Sequence, residues 1–189
     1  LKSQMNPHFV FNSLNAIQNF VIENDIDSSL SYMNSFASLM RKSLDYSSRK
    51  EISLKEEIEF LKLFVKIQNL RFGNKVKFKV QKLKDIILSE TAIPPMILQP
   101  ILENCFEHAF DEEIEHPFIA IDFQLSVTSL IVTIRDNGIG FDAQPKESSK
   151  GLKLISERLS LLNPKNRLSV SSNSSGTEIN IVFHARLKE

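Results

Sequence analysis

The stretch Leu130-Ile131-Val132-Thr133-Ile134-Arg135-Asp136-Asn137-Gly138-Ile139-Gly140 reads as a buried strand that runs out into a glycine-bearing turn. Side chains alternate along a strand, so Leu130, Val132, Ile134 and Asp136 share one face. The first three are apolar and mark that face as core. Asp136 follows them inward, where an unpaired carboxylate is costly. It needs a donor, and Gly138 and Gly140 leave room for something to approach the backbone. A ligand N–H such as the exocyclic amine of adenine meets that need. So does the chain itself, if Asp136 caps an ordinary hairpin turn.

Upstream of this strand, residues 118–125 alternate, with Ile119, Ile121, Phe123 and Leu125 inward, and a turn near Thr128 joins the pair. Before them, Leu98, Ile101, Leu102, Cys105 and Ala109 form the apolar stripe of a helix ending near Phe110, with Pro100 in or near its first turn. Residues 75–80 alternate lysine with apolar residues, giving a strand with one wet face. Downstream, residues 141–150 carry no pattern, and Gly151 opens a helix through Leu162. Two closing strands follow, with Leu168 and Val170, then Ile179, Ile181 and Phe183, inward. That order implies an α+β fold with helices on one face of a mixed, mainly antiparallel sheet.

The N-terminal part has a different period. Val10, Leu14, Ile17 and Val21, and then Leu30, Met33, Ala37, Met40 and Leu44, are seams of the coiled-coil kind. The polar break Glu23-Asn24-Asp25-Ile26-Asp27, with Asp27 as N-cap, predicts an antiparallel helical hairpin. A lone hairpin leaves Phe9, Phe11, Phe20 and Phe36 uncovered, so pairing into a four-helix bundle predicts a homodimer through residues 1–50. Residues 48–52 read as a hinge. Ser53 and Glu56 form a capping box for a helix that carries Leu54, Ile58, Leu61, Val65 and Leu70 to about Phe72, where Gly73 and Asn74 stop it. The expected domains are residues 1–50 and 51–189.

Composition narrows the classes. Of 189 residues, 42% are hydrophobic and 24% charged, as in a globular protein. Lysine plus arginine and aspartate plus glutamate are 23 each, so there is no basic footprint for nucleic acid. Cys105 is the only cysteine, which excludes an internal disulfide. No apolar run is long enough to span a bilayer. Leu1 reads as mid-helix, so the expectation is a piece of a longer chain with a membrane segment possible upstream.

Three constellations carry chemistry. Glu103, Asn104, Glu107 and His108 lie on one helix, with Asn104 and His108 as i,i+4 neighbours; oxygen ligands there suit Mg²⁺ shared with phosphates, or form a plain polar stripe. His8, His108, His116 and His184 lack zinc spacing. The helix start at Gly151-Leu152 offers free N–H groups to phosphate, with Lys146 and Lys150 nearby, or is a surface loop entering a helix. There is no Walker motif. In Gln4-Met5-Asn6-Pro7-His8-Phe9-Val10-Phe11-Asn12, His8 falls at an outward position with Asn12, Asn15 and Asn19 on the same side. An exposed imidazole is a workable nucleophile near neutral pH, and also an ordinary surface residue.

Taken in order, these segments resemble the sensor histidine kinases of two-component systems, in the LytS-like branch. Residues 4–15 are similar to the phosphoacceptor box, and residues 93–104 to the N-box. Asp136-Asn137-Gly138-Ile139-Gly140 resembles the first glycine box, Gly151-Leu152 with Glu157-Arg158-Leu159 the second, and Gly176-Thr177 the closing Gly-Thr. The resemblance implies a Bergerat-type ATP-binding domain joined to a dimeric histidine-bearing bundle. It implies that His8 accepts the γ-phosphoryl group of ATP and that Asn104 holds Mg²⁺, with Glu103 and His108 close to phosphates or metal. Asp136 would bind the adenine amine, Gly138 and Gly140 admit the base, Lys150, Gly151 and Leu152 close over the triphosphate, and Thr177 support the adenine end. It also implies a response regulator as partner, in this branch often one with a LytTR-type DNA-binding output, and a cytoplasmic place in a membrane-anchored protein. Three residues depart from the wider pattern: Phe9 follows His8 where other branches carry an acid, Ser149 stands where a glycine is frequent, and Glu107 where lysine is common. The last two also fit a degenerate scaffold that dimerises and docks a regulator.

Overall fold

A computed structural model divides the chain into two compact units, Leu1–Asn74 with Ser89–Met96, and Lys75–Leu88 with Ile97–Glu189. It describes residues 7–82, 86–111, 114–141 and 149–184; of Pro7, His8, Lys82, Ser149 and Lys150 it describes the backbone alone.

The first unit holds helices α1 (Pro7–Ile22), α2 (Ile26–Ser47) and α3 (Leu54–Arg71), with a two-stranded ribbon of β1 (Ile52–Ser53) against β3 (Ala92–Ile93). Asn24 turns the chain between α1 and α2 with φ at 58°. Asp25, not Asp27, is the N-cap: its carboxylate accepts the Ser28 N–H at 3.0 Å, and Asp27 falls in the first turn, where a negative charge still suits the helix dipole.

The hairpin closes on a stripe other than the expected one. Phe9, Ser13 and Ala16 of α1 are buried, as are Ser29, Tyr32, Ser35, Leu39, Ser43 and Tyr46 of α2. Phe9 stacks at 6.1 Å on Phe36, and Phe20 at 5.9 Å on Tyr32. Serine and alanine let the helices approach while the rings fill the gaps between turns. The aliphatic seams stay outside: Leu14, Val21, Leu30, Met33 and Leu44 are exposed, Leu44 by 69%. Of the four phenylalanines expected to lie uncovered, only Phe11 does, at 66%.

At α3 the capping box is present as expected. Ser53 Oγ accepts the Glu56 N–H at 3.2 Å, and Glu56 Oε2 accepts the Ser53 N–H at 2.8 Å. The ring pairs Phe9–Phe64, at 5.4 Å, and Tyr46–Phe60, at 5.9 Å, fasten α3 to the hairpin. By contacts α3 groups with α1 and α2 in the first compact unit. The expected hinge is braced as well. Arg49 reaches Asp45 at 2.6 Å on one side and Glu56 at 3.0 Å on the other, over the Tyr46 ring.

The second unit is a five-stranded sheet of β2 (Lys77–Lys82), β4 (Phe118–Leu125), β5 (Ser129–Asp136), β7 (Gly176–His184) and β6 (Arg167–Asn173), in that spatial order. Only β2 and β4 run parallel, so the sheet is mixed and mainly antiparallel as expected. The inward rows register across it, with Ile121 opposite Ile134 and Ile134 opposite Ile179. Those rows are buried, as are Ile155 and Leu159 of helix α5 (Ser149–Leu162), which begins two residues before Gly151. Each such side chain contributes about 1.5–3 kcal/mol of burial. Leu125, expected inward, is 47% exposed because the strand ends there. On the opposite face Arg135 links Asp122 of β4 to Glu178 of β7. Helix α4 (Gln99–Asn104) and the π-helical turn Cys105–Ala109 that continues it complete the unit.

Candidate functional site

The strand β5 delivers Asp136 to the rim of a cleft of about 90 Å³. Its apolar walls come from Ile101, Ala109, Phe141, Leu152 and Ile179. Asn104, Cys105, His108, Gly140 and Thr177 complete it. Local sequence explains each wall. Pro100 sits in the first turn of α4, where a missing N–H is harmless. At Cys105 the helix widens into a π turn, a feature frequent at functional sites. The widened turn leaves the Ala109 carbonyl free to accept the Ile139 N–H at 2.9 Å.

The glycines act differently from the expectation. A Cβ on Gly138 would collide with the Ala109 carbonyl and side chain, and one on Gly140 with the Asn173 carbonyl. Gly140 also takes φ +65°, which disfavours any other residue. Their close approach is to the chain's own backbone, which closes the turn on α4 and β6. Gly140 remains on the cleft wall, and Gly138 does not.

The chain itself supplies donors to Asp136, and the carboxylate also lines the cleft. Its Oδ1 accepts the N–H of Gly138 at 2.9 Å and of Thr177 at 3.2 Å. Among the described residues its Oδ2 accepts only the weak donor Cys105 Sγ–H, at 3.5 Å, and keeps acceptor capacity toward the cleft. Burial pushes the Asp136 carboxyl above the ordinary carboxylate value, against the pull of the Gly138 N–H, the Cys105 thiol and the Thr177 N–H. Burial, and then the Asp136 charge, push the Cys105 thiol well up, so it stays a protonated donor.

Two supports were not foreseen. Asn137 Oδ1 accepts the Phe118 N–H at 2.7 Å while its Nδ2 donates to the His116 carbonyl at 2.9 Å, bracing the turn against the start of β4. Ser172 Oγ accepts the Phe141 N–H at 2.9 Å and lies 3.0 Å from Thr177 Oγ1, tying together two residues that line the cleft. An asparagine before glycine reads as turn chemistry, and Ser172 is one serine in a polar run; neither spacing signals its partner.

Asn104 is half-buried on the wall, and a Cβ on Gly151 would lie 3.6 Å from its Nδ2. His108 stands exposed at the mouth, 3.9 Å from the Glu107 carboxylate. Glu103 is buried and is not on the wall. The side chains of His8 and Lys150, and residue Lys146, fall outside the described residues; the backbone of His8 is in α1. Among the described residues no group of three or more His, Cys, Asp or Glu is arranged to hold a metal ion. The donors present fit a planar base against apolar walls with one carboxylate oxygen at its edge. Asn104 fits a Mg²⁺ that takes one protein oxygen and several from phosphates.

Fold and cleft together define the class: this is the α+β architecture of histidine kinase catalytic domains. The histidine kinase domain of the Erythrobacter litoralis EL346 blue-light-activated kinase superposes with a TM-score of 0.54 at 17% identity, over 95% of this chain and 88% of that one. Acinetobacter baumannii histidine kinase AdeS does so at 0.56 and 12%, over 95% and 98%. ThkA, solved in complex with the response regulator protein TrrA, gives 0.52 and 12%, over 94% and 59%. In sequence, residues 1–76 match the family described as histidine kinase. Sensor histidine kinase BtsS of Escherichia coli K12 is 29% identical over 159 residues, covering 84% of this chain and 28% of that protein. Sensor protein LytS of Staphylococcus epidermidis ATCC 12228 is 24% identical over 196 residues (97% and 33%), and YesM of Bacillus subtilis 28% over 192 (98% and 33%). The chain is similar to these sensor kinases and spans about a third of their length.

Proposed function

We propose that this chain is the kinase core of a two-component sensor: it binds Mg²⁺–ATP in the Asp136 cleft, phosphorylates His8, and passes the phosphoryl group to an aspartate of a response regulator. The observation that carries the reading is the division of labour on Asp136. One oxygen is saturated by two backbone N–H groups, and the other is left for a ligand donor beside apolar walls. That is the acceptor an adenine amine requires. Bound ATP supplies the γ-phosphoryl group, and its Mg²⁺ neutralises the charge that develops during transfer. Asn104 would hold the metal, with Glu103, buried beside it on the same helix, as a second and less direct ligand. His108 stands at the mouth toward the phosphates, Lys150, Gly151 and Leu152 cover them, and Thr177 secures Asp136 through its N–H.

The His8 imidazole attacks phosphorus through a ring nitrogen, the bond to the ADP oxygen breaks, and the displaced imidazole proton leaves to solvent. His8 belongs to a functional segment 1–50 that dimerises, with residues 51–189 as the ATP-binding part. The exposed aliphatic seams of α1 and α2 supply the dimer surface. Among the described residues no helix is long and apolar enough to cross a membrane; the reading places this core on the cytoplasmic side of a longer, membrane-anchored protein. Incubation with Mg²⁺ and radiolabelled ATP tests it: wild type gains an acid-labile label, while His8→Gln binds nucleotide and stays unlabelled. Label persisting in His8→Gln sinks the assignment.

A further inference from the structure

In Ile93-Pro94-Pro95-Met96 the chain turns at Pro95 and Met96, and Met96 adopts φ +54°. Proline followed by a positive φ fits a type II turn, whose second corner favours glycine. A long side chain there is strained. Three contacts hold it. The Met96 side chain is buried. Its sulfur lies 3.3 Å from Ser43 Oγ of α2. Its N–H donates at 2.9 Å to Oε2 of Glu57, which is fully buried on α3. Ser43, Glu57 and Met96 all belong to the first unit, and the second resumes at Ile97.

Helix α4 starts three residues after Met96, is six residues long, and has no side-chain cap at Leu98. Its entry depends on the turn that precedes it. Yet α4 and its π turn bring Ile101, Asn104, Cys105 and His108 to the cleft.

We propose that the turn at Met96 is a sprung joint, with Glu57 as the positioning residue that holds it. Helices α2 and α3 keep Met96 in the left-handed conformation through Ser43 and Glu57. A rearrangement of those helices that withdraws either contact lets the turn relax and loosens the start of α4. The state of the helical unit is thereby passed along the chain to the wall that carries Asn104. The effect on ligand rests on the nucleotide reading; the joint itself does not.

The test is amide hydrogen exchange on the nucleotide-free chain, followed by ADP titration. In Glu57→Ala the Met96 amide, and the Ile101 and Leu102 amides that bond to the Leu98 carbonyl, should exchange at least tenfold faster, with the sheet amide of Ile134 unchanged. The ADP Kd should rise at least fivefold. Glu57→Gln, which keeps an acceptor oxygen, should restore most of both. Unchanged exchange in a folded Glu57→Ala overturns the joint. If that variant does not fold, Ser43→Ala decides: its Met96 amide should exchange at least threefold faster, and a wild-type rate overturns the joint. Altered exchange with an unaltered ADP Kd overturns the positioning role. Wild type that binds no ADP refutes the nucleotide reading, and the exchange arm still judges the joint.

Discussion

The two units bury their apolar residues by different logic. In the sheet unit the inward rows of the central strands find their cover within the chain: Ile121, Val132, Ile134 and Ile181 are buried at 0 or 1% exposure. In the helical unit each of the first two helices carries two apolar stripes, and only one is covered. The aromatic and small-residue stripe of Phe9, Ser13, Ala16, Tyr32 and Ser35 closes the hairpin, while Leu14, Val21, Leu30 and Leu44 face out. A helix with two stripes is built for two partners. The central sheet covers its own core; the helical unit leaves a surface that a second copy would complete.

The largest expected effect attacks that contrast directly. Leu14→Glu with Leu44→Glu removes four buried leucines from a symmetric bundle. At about 1.5–3 kcal/mol each, the loss is at least about 6 kcal/mol, or more than 10⁴-fold in dimer Kd. Sedimentation velocity should show wild type as a dimer and the variant as a monomer. The variant's far-UV dichroism should remain helical, because both side chains are exposed in the single chain. A dimer that survives would place the interface elsewhere.

The sheet unit should be less forgiving of a single methyl group. Gly138→Ala drives a Cβ into the Ala109 carbonyl, a backbone atom that cannot swing aside. The cost should reach about 3 kcal/mol, the upper end for overpacking. Urea denaturation should show the lost stability. Gly151→Ala, whose Cβ meets only the Asn104 amide at contact distance, should stay within about 0.5 kcal/mol.

Asp136→Asn separates stability from binding. Asn Oδ1 can keep the Gly138 and Thr177 N–H bonds, but Nδ2 then points a donor at the cleft. Nucleotide affinity should fall about 100-fold, about 2.7 kcal/mol, the size of a charge-assisted hydrogen bond lost. Isothermal titration checks this. Stability should move the other way. Burial raises the Asp136 pKa in the folded chain, so the folded state holds its proton more tightly than the unfolded state. The carboxylate's contribution to stability therefore falls as pH rises from the unfolded value through the folded one, and stays low above both. Asparagine carries no such penalty. The variant's melting advantage should be full above the folded value and vanish as pH drops through that window.

What the sequence made legible follows the same divide. A strand offers two faces, and in β4, β5 and β7 hydrophobicity picks one without ambiguity, so Ile119, Ile134 and Ile179 were readable as core. Leu125 was not, because alternation does not say where a strand stops. In the hairpin the periodicity of Val10, Leu14 and Ile17 was sound, but two stripes compete for one neighbour, and ring area decided for Phe9. Asp25 and Asp27 are equally good caps; the left-handed Asn24 chose between them. In the cleft, Asp136, Asn104, Leu152 and Thr177 stand near element ends with recognisable chemistry. Ser172, Asn137 and the Cys105 thiol act through partners 19 to 31 residues away, and spacing carries no trace of such pairings.

The smallest expected effect concerns the junction that read as a hinge. Arg49 ties Asp45 to Glu56, with its guanidinium 5.5 Å above the Tyr46 ring. The hydrogen bond that Arg49 donates to Asp45 raises the guanidinium's already high pKa, and after the Ser53 bonds the arginine helps hold the Glu56 carboxyl below its ordinary value. Arg49 and Asp45 are exposed and Glu56 is partly so, so solvent screens the pairs and Arg49→Ala should cost less than about 1 kcal/mol. Its consequence should be kinetic: amides of residues 49–52 should exchange faster while the global melting point barely moves. If the junction already exchanges freely in wild type, Arg49 is no brace, and the hinge read from the sequence returns.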